Sequence, residues 1–291
     1  MTDPLYELVQ LKNGTWSVRS RVLGETFHPV IGPVAEAEAL YVRQLQLPQR
    51  MARHSGEFVI WDIGLGAAAN ICTVLQASAT GTNPVRIVSF DCTSAPLRFA
   101  LEHPRLLEFI APYQQAAQTL LDQGQVEFTN GNHLVSWNYF EADFPSLVRL
   151  PTAQTWPKPH AILFDAFSPA RNPEMWTLPL FERLHGLLDP SRDCLMATYS
   201  RSTLLRVTLL LAGFFVGTGH ATGDKEETTI AANSLRLISE PLDPKWLSKV
   251  RRSSSAEPMI QPLYRQQPLS SDNWERLERH AQFRGSHGIT R

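Results

Sequence analysis

Short apolar runs separated by stretches with helical spacing dominate the chain from residue 58 to residue 232. Runs of this length, bounded by glycine, proline or acidic residues, are typical of buried strands. The pattern predicts seven strands, at 58–61, 85–90, 135–140, 161–164, 194–199, 214–216 and 227–232. Strands that alternate with helices favour an α/β fold built on a mainly parallel sheet.

The last two predicted strands depart from this alternation. The link between them, 217–226, is short and rich in glycine, and it leaves no room for a helix. The two strands must therefore pair antiparallel. Five strand–helix units closed by a hairpin are typical of the seven-stranded, Rossmann-like sheet of class I S-adenosylmethionine-dependent methyltransferases, whereas a dehydrogenase would add a further parallel strand.

The segment before the first strand predicts a small β structure and a helix. Residues 6–21 have the pattern of a β-hairpin around the turn Asn13-Gly14, a loop follows at 24–29, and 35–45 has helical spacing. The chain is therefore divided into three predicted parts, an N-terminal hairpin and helix (1–50), a methyltransferase domain (51–240) and a basic C-terminal tail (241–291).

Charge is spread unevenly along the chain. The formal net charge of −1 does not suggest a nucleic-acid binder. From residue 245 onward, however, nine Lys and Arg face four Asp and Glu, a net of +5. This tail is compatible with a phosphate-rich partner or with a solvated segment. Because it is rich in Ser, Pro, Gln and Arg, we expect partial disorder, with short helical turns at most near 246–247 and 274–277.

The cysteines and the N-terminal residues indicate the cellular compartment in which the protein works. Cys72, Cys92 and Cys194 lie in or beside apolar segments and have no metal-ligand spacing, so we expect reduced thiols and no metal site. The first four residues lack the basic and apolar regions of a signal peptide. No run of 18 apolar residues occurs, so we expect no membrane span, and the sequence predicts a cytoplasmic protein.

A glycine turn and an acid follow the first two predicted strands. The segment 62–70 reads Asp-Ile-Gly-Leu-Gly-Ala-Ala-Ala-Asn, and its glycines let the backbone pass close to a ligand at a helix N-terminus. Asp91 lies 25 residues after Gly66, at the end of the second strand, where an acid accepts hydrogen bonds from ribose hydroxyls. We predict that Asp62, Gly64, Gly66 and Asp91 bind an adenosine-containing cofactor; a tight turn without a ligand is the alternative.

Three other positions are candidates for the same ligand. Asp143 follows the third strand and could accept from an adenine amine, with Phe144 covering the ring, or it could be an ordinary loop acid. Glu36 could reach the methionine amino group of S-adenosylmethionine or be a solvated helix acid. Phe27 and His28 lie where an aromatic lid would cover the cofactor, although packing is the default role for both.

Asp165 is the candidate catalytic residue. It follows the apolar run 161–164, and the carboxyl end of a strand is where ligands bind in an open α/β sheet. In amine methylation the nitrogen lone pair must face the methyl group in line, and a carboxylate with a following backbone carbonyl could hold the N–H groups. We predict that Phe167 and Pro169 contact the acceptor, and that Asn172 caps a helix starting at Pro173. Alternatively, Asp165 only caps a turn.

The residues around Asp165 resemble a known family. From Asp165 to Trp176 the chain reads Asp-Ala-Phe-Ser-Pro-Ala-Arg-Asn-Pro-Glu-Met-Trp, which is similar to the D-x-F-x-P-x-x-N-P-x-M-W signature of the MnmC methyltransferase domain. Other segments support the resemblance. Gly64-Leu65-Gly66 is similar to the family's cofactor turn, and Thr198-Tyr199-Ser200 and Ala212-Gly213-Phe214 are similar to its T-[FY]-[ST] and AGF segments. The family's glycine/lysine hairpin is matched by Gly217, Gly219, Gly223, Lys225 and Glu226. The resemblance covers roughly residues 24–232.

The resemblance implies transfer of a methyl group from S-adenosylmethionine to an aminomethyl group on the wobble uridine of tRNA. It implies that Gly64, Gly66, Asp91 and Asp143 hold the cofactor and that Asp165 faces the aminomethyl nitrogen. The cofactor turn departs from the usual Gly-x-Gly-x-Gly pattern, and Asp91 stands where the family commonly has Glu. No second dinucleotide turn follows residue 232, so we expect the family's flavin-dependent oxidase half to be absent, and a separate flavin-dependent or amine-installing enzyme to act upstream.

Two alternatives stay open at this point. One keeps catalysis but changes the acceptor: a small-molecule methyltransferase, or an aminopropyltransferase in which Glu141, Asp143 and Asp165 hold a polyamine. The other is a catalytically silent module that binds a nucleoside and keeps only the fold.

Overall fold

Two sheets form the β structure of the protein, whose computed structural model describes residues 5–223 and 226–284. The first sheet has three strands and the second has eight. In chain order the strands are β1 (Tyr6–Gln10), β2 (Trp16–Ser20), β3 (Glu25–Thr26), β4 (Phe58–Ile63), β5 (Val85–Asp91), β6 (Gln125–Asn130), β7 (His133–Glu141), β8 (Ala161–Phe164), β9 (Leu195–Thr198), β10 (Phe215–Gly219) and β11 (Thr228–Ala232).

Helices connect most of the strands of the large sheet and cover both its faces. The α-helices are α1 (Pro33–Ala37), α2 (Leu47–Arg53), α3 (Ala69–Ser78), α4 (Ala95–Glu102), α5 (Gln114–Gln123), α6 (Phe144–Leu147), α7 (Leu178–Gly186), α8 (Thr203–Leu211), α9 (Pro244–Arg252), α10 (Ser271–Glu278) and α11 (Ala281–Arg284). A π-helical turn, Glu38–Arg43, continues α1, so the two together account for the helix predicted at 35–45. Within the described ranges, none of the helices is long and apolar enough to cross a membrane.

The large sheet has the strand order β10-β11-β9-β8-β4-β5-β7-β6. Its five central strands, β7, β5, β4, β8 and β9, are parallel. β11 lies between β9 and β10 and pairs antiparallel with both, so the predicted closing hairpin is confirmed. Alternate residues of β4 face opposite sides of the sheet: Ile60 packs into one apolar core, and Val59 and Trp61 pack into the other.

One strand of the large sheet was missed by the sequence pattern. β6 pairs antiparallel with β7 at the edge of the sheet, where seven strands had been predicted. Its sequence, Gln-Val-Glu-Phe-Thr-Asn, has only two apolar residues, Val126 and Phe128, and both pack against the core from partly buried positions. An edge strand with one solvated face lacks the continuous apolar run that identifies the central strands.

The N-terminal segment folds as the predicted hairpin with one addition. β1 and β2 pair antiparallel from Tyr6 opposite Ser20 to Gln10 opposite Trp16. The segment predicted as a loop at 24–29 contains the short strand β3, which pairs with β2. This small sheet covers the carboxyl ends of the parallel strands.

The C-terminal segment is more structured than the predicted short turns. α9 has nine residues and α10 has eight, and Val250, Leu277 and Phe283 are buried. The Gln282 side chain accepts a hydrogen bond from the Val216 N–H and donates to the carbonyls of Val216 and Leu242, so α11 is held against the edge strand β10. Residues 285–291 of the tail, and Lys225 of the glycine/lysine hairpin, lie outside the described residues. The three-part division of the chain stays a prediction.

Candidate active site

The carboxyl ends of β4, β5, β7 and β8 open into a single cavity of about 970 Å³. The small N-terminal sheet and the loop after it form the opposite wall. Titratable and aromatic side chains from both walls line the cavity, among them Tyr6, Glu25, Phe27, His28, Glu36, Asp91, Asp143, Asp165, Phe167 and Arg171. A cavity of this size with convergent polar groups is the usual form of a small-molecule site.

The glycine turn after β4 forms the floor of the cavity. Gly64 and Gly66 have φ angles of 96° and 53°, which disfavour other residues. A Cβ atom on Gly64 would lie 2.6 Å from the carbonyl oxygen of Asp165, and one on Gly66 would lie 3.2 Å from the Phe27 ring. The turn therefore packs directly against both the predicted catalytic segment and the predicted lid. Ala68 also has a positive φ, 63°, although it carries a side chain.

Asp91 lies where the sequence predicted a ribose-binding acid. Its Oδ2 accepts a hydrogen bond from the Gly66 N–H at 2.9 Å, and the side chain lines the cavity. Burial raises the pKa of Asp91, and the hydrogen bond from the Gly66 N–H opposes that rise. The carboxyl group is thus fixed against the glycine turn, with the cavity beside it.

The two acids after β7 have different surroundings. Asp143 lines the cavity, and its Oδ2 also caps α6 by accepting from the Ser146 N–H at 3.0 Å. Glu141 Oε1 instead accepts from the backbone N–H and the hydroxyl of Ser94 at the start of α4, and Glu141 does not line the cavity. Phe144 lines the cavity as predicted.

Asp62 does not line the cavity, in contrast to the prediction that it binds the cofactor. It is fully buried beneath the glycine turn, and its Oδ2 accepts from the Ser89 hydroxyl at 2.8 Å. That hydroxyl in turn accepts from the Trp137 ring N–H at 2.9 Å. The other carboxyl oxygen of Asp62, Oδ1, has no hydrogen-bond partner in the described part of the chain. Burial raises the pKa of Asp62 to about 8, so the side chain is mainly neutral at neutral pH.

Asp165 is held at the rim of the cavity by both its backbone and its side chain. Its N–H donates to the Ile63 carbonyl at 2.9 Å, which fixes the residue beside β4. Its Oδ2 accepts from the Asn70 side chain at 2.7 Å and lies 3.8 Å from His28 Nε2. The other ring nitrogen of His28, Nδ1, lies 3.8 Å from Oε2 of Glu36. Asn70 was not predicted; its place in the first turn of α3, four residues after Gly66, was the available signal.

The loop after Asp165 is fastened by protein donors. The Tyr199 hydroxyl donates to the Ala166 carbonyl at 3.0 Å, and the Trp176 ring N–H donates to the Phe167 carbonyl at 2.7 Å. The Phe167 ring lines the cavity and makes an edge contact with Phe27, at a centroid distance of 5.3 Å. Glu25 accepts from the Ser168 hydroxyl at 2.6 Å, which joins the small sheet to this loop.

The structure bears on two further predictions within this loop. Pro169 does not line the cavity, and its contact with the acceptor stays a prediction. Asn172 precedes a short 3₁₀ turn, Pro173–Trp176, but its side chain makes no capping hydrogen bond and lines the cavity instead. The helix that follows, α7, begins at Leu178, after the extended backbone of Thr177.

The comparisons with known proteins agree with this geometry. Residues 145–234 match the model of a family described as S-adenosyl-L-methionine-dependent methyltransferase. The bifunctional tRNA 5-methylaminomethyl-2-thiouridine biosynthesis protein MnmC of Methylibium petroleiphilum is 28% identical over 235 residues, and that of Aeromonas hydrophila is 27% identical over 242 residues. These alignments cover 77% and 79% of this chain.

The chain is therefore similar to S-adenosylmethionine-dependent methyltransferases over residues 145–234 and to MnmC over 77% of its length. Its similarity is to the methyltransferase part of those relatives, and the aligned segments span only 34% and 36% of their length. The crystal structure of MnmC2 from Aquifex aeolicus has the same fold, with a TM-score of 0.69 and 24% identity, over 94% of this chain and 82% of that one.

The cavity fits S-adenosylmethionine in size and chemistry. The glycine turn, Asp91 and Asp143 line it at the carboxyl ends of the parallel strands, and the lining acids suit a cationic sulfonium. Within residues 5–223 and 226–284, no group of three or more His, Cys, Asp or Glu is arranged to hold a metal ion.

Proposed function

We propose that the protein methylates an aminomethyl group on the wobble uridine of tRNA. The observation that carries this proposal is the placement of Asp165. Its carboxylate lies at the rim of the cavity, directly beyond the glycine turn that Gly64 forms. Support for the acceptor comes from the names of the relatives, which are tRNA 5-methylaminomethyl-2-thiouridine biosynthesis proteins.

Each part of the cavity has a proposed role. Gly64, Gly66, Asp91 and Asp143 would bind the cofactor, and Glu36 would face its methionine end. S-adenosylmethionine supplies the methyl group as an electrophilic carbon. Asp165 would hold the N–H groups of the acceptor so that the nitrogen lone pair points at that carbon, and Phe167 would contact the acceptor base.

The surroundings of Asp165 suit this role. The Asn70 amide donates to its Oδ2, so the carboxylate is oriented before any acceptor arrives. The cavity collects acids, and a cluster of carboxylates attracts an ammonium-bearing acceptor. Arg171, 57% exposed at its side chain and lining the cavity, is positioned to meet a phosphate of the acceptor.

Asp165→Asn tests the proposal. The amide keeps the shape of the side chain but loses the charge and the proton acceptor, so methyl transfer to undermodified tRNA should fall by about 100-fold or more. The affinity for S-adenosylhomocysteine, measured by calorimetry, should change by less than about threefold, since Asp165 is assigned to the acceptor. Asp122→Asn on the exposed face of α5 is the matched control and should leave both quantities unchanged.

The wild-type protein separates this proposal from its alternatives. Methyl transfer to small amines but not to tRNA would favour a small-molecule methyltransferase. Cofactor binding without transfer to any acceptor would favour a silent module. tRNA binding that falls steeply with added salt is expected if several phosphates are contacted.

We also propose that the enzyme is cytoplasmic and that a separate enzyme installs the amine that it methylates. The basic C-terminal segment is compatible with a phosphate-rich partner, but part of its charge is already paired. Arg251 lies 3.3 Å from Glu278 and over the Trp274 ring, and Arg276 lies 3.5 Å from Glu182. Exposed pairs of this kind are weak and could exchange for phosphates.

A further inference from the structure

His28 has an unusual backbone conformation for a residue with a side chain. Its φ angle is 49°, in the left-handed region that favours glycine. Both backbone polar groups of the preceding residue, Phe27, are hydrogen-bonded. Its N–H donates to the Val18 carbonyl at 2.8 Å, and its carbonyl accepts from the Ser17 hydroxyl. Strained residues held in this way are concentrated at functional sites.

This conformation places the imidazole between two carboxylates. Its side chain is 10% exposed, and those of Glu36 and Asp165 are 9% and 16% exposed. One ring nitrogen faces Glu36 and the other faces Asp165, each at 3.8 Å. Both distances are slightly too long for hydrogen bonds, and catalytic hydrogen bonds commonly tighten in the complex with substrate.

The proposed reaction requires a group beside the acceptor amine that can take up a proton from it. An alkylamine is an ammonium ion at neutral pH and has no lone pair to donate until it loses a proton. A carboxylate is a weak acceptor for that proton, because the ordinary pKa of an aspartate is about 3.9. Histidine is the side chain whose ordinary pKa, about 6.5, allows it to take up and release protons near neutrality.

We propose that His28 accepts, by way of the Asp165 carboxylate, the proton that the acceptor ammonium loses, and passes it towards Glu36. This inference rests on the proposed function. The neutral amine then uses its lone pair to form the N–C bond while the C–S bond breaks and its electron pair stays on sulfur. The product leaves as a secondary ammonium ion, so one proton is released to solvent in each turnover.

The other titratable groups around the imidazole do not replace it in this role. Burial raises the pKa values of Tyr41 and Tyr199 further above their ordinary values, so both phenols stay neutral. Glu25 is engaged by the Ser168 hydroxyl and lies 3.9 Å from the Arg171 guanidinium. The imidazole is therefore the group in this cluster best suited to carry the proton.

His28→Gly is the informative variant. Glycine adopts a φ of 49° without strain, so the variant should fold, and the missing ring leaves space for free imidazole. Methyl transfer to undermodified tRNA, and to 5-aminomethyluridine as a small acceptor, should fall by about 100-fold. Added imidazole should restore the rate by at least about tenfold. Calorimetry should show an affinity for S-adenosylhomocysteine within about threefold of that of the wild type.

Gln46→Gly is the matched control, because Gln46 has a φ of 51°, is exposed and does not line the cavity. It should keep the wild-type rate and gain nothing from imidazole. An unchanged rate in His28→Gly, a lack of rescue, or a parallel loss of S-adenosylhomocysteine binding would overturn this inference alone. If the wild-type protein methylates no amine acceptor at all, both the proposed function and this inference are overturned.

Discussion

Gly64 is the residue through which the cofactor turn and the acceptor segment meet. A Cβ atom there would lie 2.6 Å from the Asp165 carbonyl oxygen and 3.0 Å from its carbonyl carbon, and neither backbone atom can move without shifting the catalytic residue. We expect Gly64→Ala to weaken binding of S-adenosylhomocysteine at least about tenfold, or 1.4 kcal/mol. The φ of 96° adds a strain of about 1–2 kcal/mol to the folded state. Calorimetry and denaturant unfolding measure the two effects.

Gly56→Ala separates strain from contact. Gly56 has a φ of 94°, nearly that of Gly64, but no atom lies within 4 Å of the position that its Cβ would occupy. This control should lose a similar amount of unfolding free energy and keep its affinity for the ligand. Equal affinities in the two alanine variants would contradict the steric role assigned to Gly64.

Ala68 shows why the glycine pattern of the turn was incomplete in the sequence. The usual third glycine of the motif is replaced, yet Ala68 keeps a left-handed conformation, with a φ of 63°, at the residue before α3. Its methyl group is fully buried in the core. Burial of the methyl group offsets part of the free-energy cost of the left-handed conformation. The turn can therefore form with alanine where the usual motif has glycine.

At the scale of elements, the buried strands could be predicted and the edge strand β6 could not. The central strands are continuous apolar runs because both their faces are covered, which is a signal that a single sequence contains. β6 was missed because one of its faces is solvated. α9 was underestimated because the composition of the tail favoured disorder, although Trp246 and Val250, four residues apart, lie on one face of the helix and pack into the core.

Some residues of the site could likewise be predicted from the sequence, and others could not. Asp91, Asp143 and Asp165 were predicted because each follows a strand, and the carboxyl ends of parallel strands meet at one edge. The contacts of His28 and Glu25 with the acceptor loop cross more than 130 residues of chain, so no spacing rule could reveal them. Asp62 and Pro169 were assigned by proximity to a motif, and the direction in which a side chain points is not set by proximity.

Gln282 tests whether the C-terminal helices are part of the fold. Its side chain makes three hydrogen bonds to the backbone of Val216 and Leu242, at 2.7–2.8 Å, and it is buried. Gln282→Ala leaves the buried Val216 N–H without this acceptor, so we expect a loss of about 1–3 kcal/mol in the free energy of unfolding. Urea denaturation measures it. Gln261→Ala, at an exposed position, is the control; if the two variants are equally stable, α11 contributes little to the fold.

At the scale of the whole molecule, negative charge converges on one end of the sheet. Asp91, Asp143, Asp165, Glu25 and Glu36 all line the cavity. Asp62 lies beneath them, and a further full charge so close to the others would be costly. Burial, together with the charges of Asp165 and Asp91, keeps this carboxyl group neutral at neutral pH by raising its pKa to about 8. The acids that line the cavity can therefore attract a cationic ligand, while the buried Asp62 adds no charge to the core.

This arrangement makes the stability of the molecule depend on pH. The pKa of Asp62 is about 8 in the folded protein, whereas an unfolded aspartate has a pKa of 3.8. The stability that the neutral group contributes is fully present below pH 4 and is lost as the pH rises through 8, because only the unfolded chain releases the proton freely over that window. Asp62→Asn removes this dependence and keeps an acceptor for the Ser89 hydroxyl.

The free energy of unfolding of the wild type, from urea denaturation at pH 5, 6, 7 and 8, should therefore fall relative to that of Asp62→Asn at each step. Over these three pH units the total difference has an upper limit of roughly 4 kcal/mol, since each unit between the two pKa values corresponds to at most about 1.4 kcal/mol. Asp122→Asn changes an exposed carboxylate and should follow the wild-type curve. Parallel curves for the wild type and Asp62→Asn would mean that Asp62 is already charged in the folded protein, and that water or a counter-ion reaches it from the cavity above.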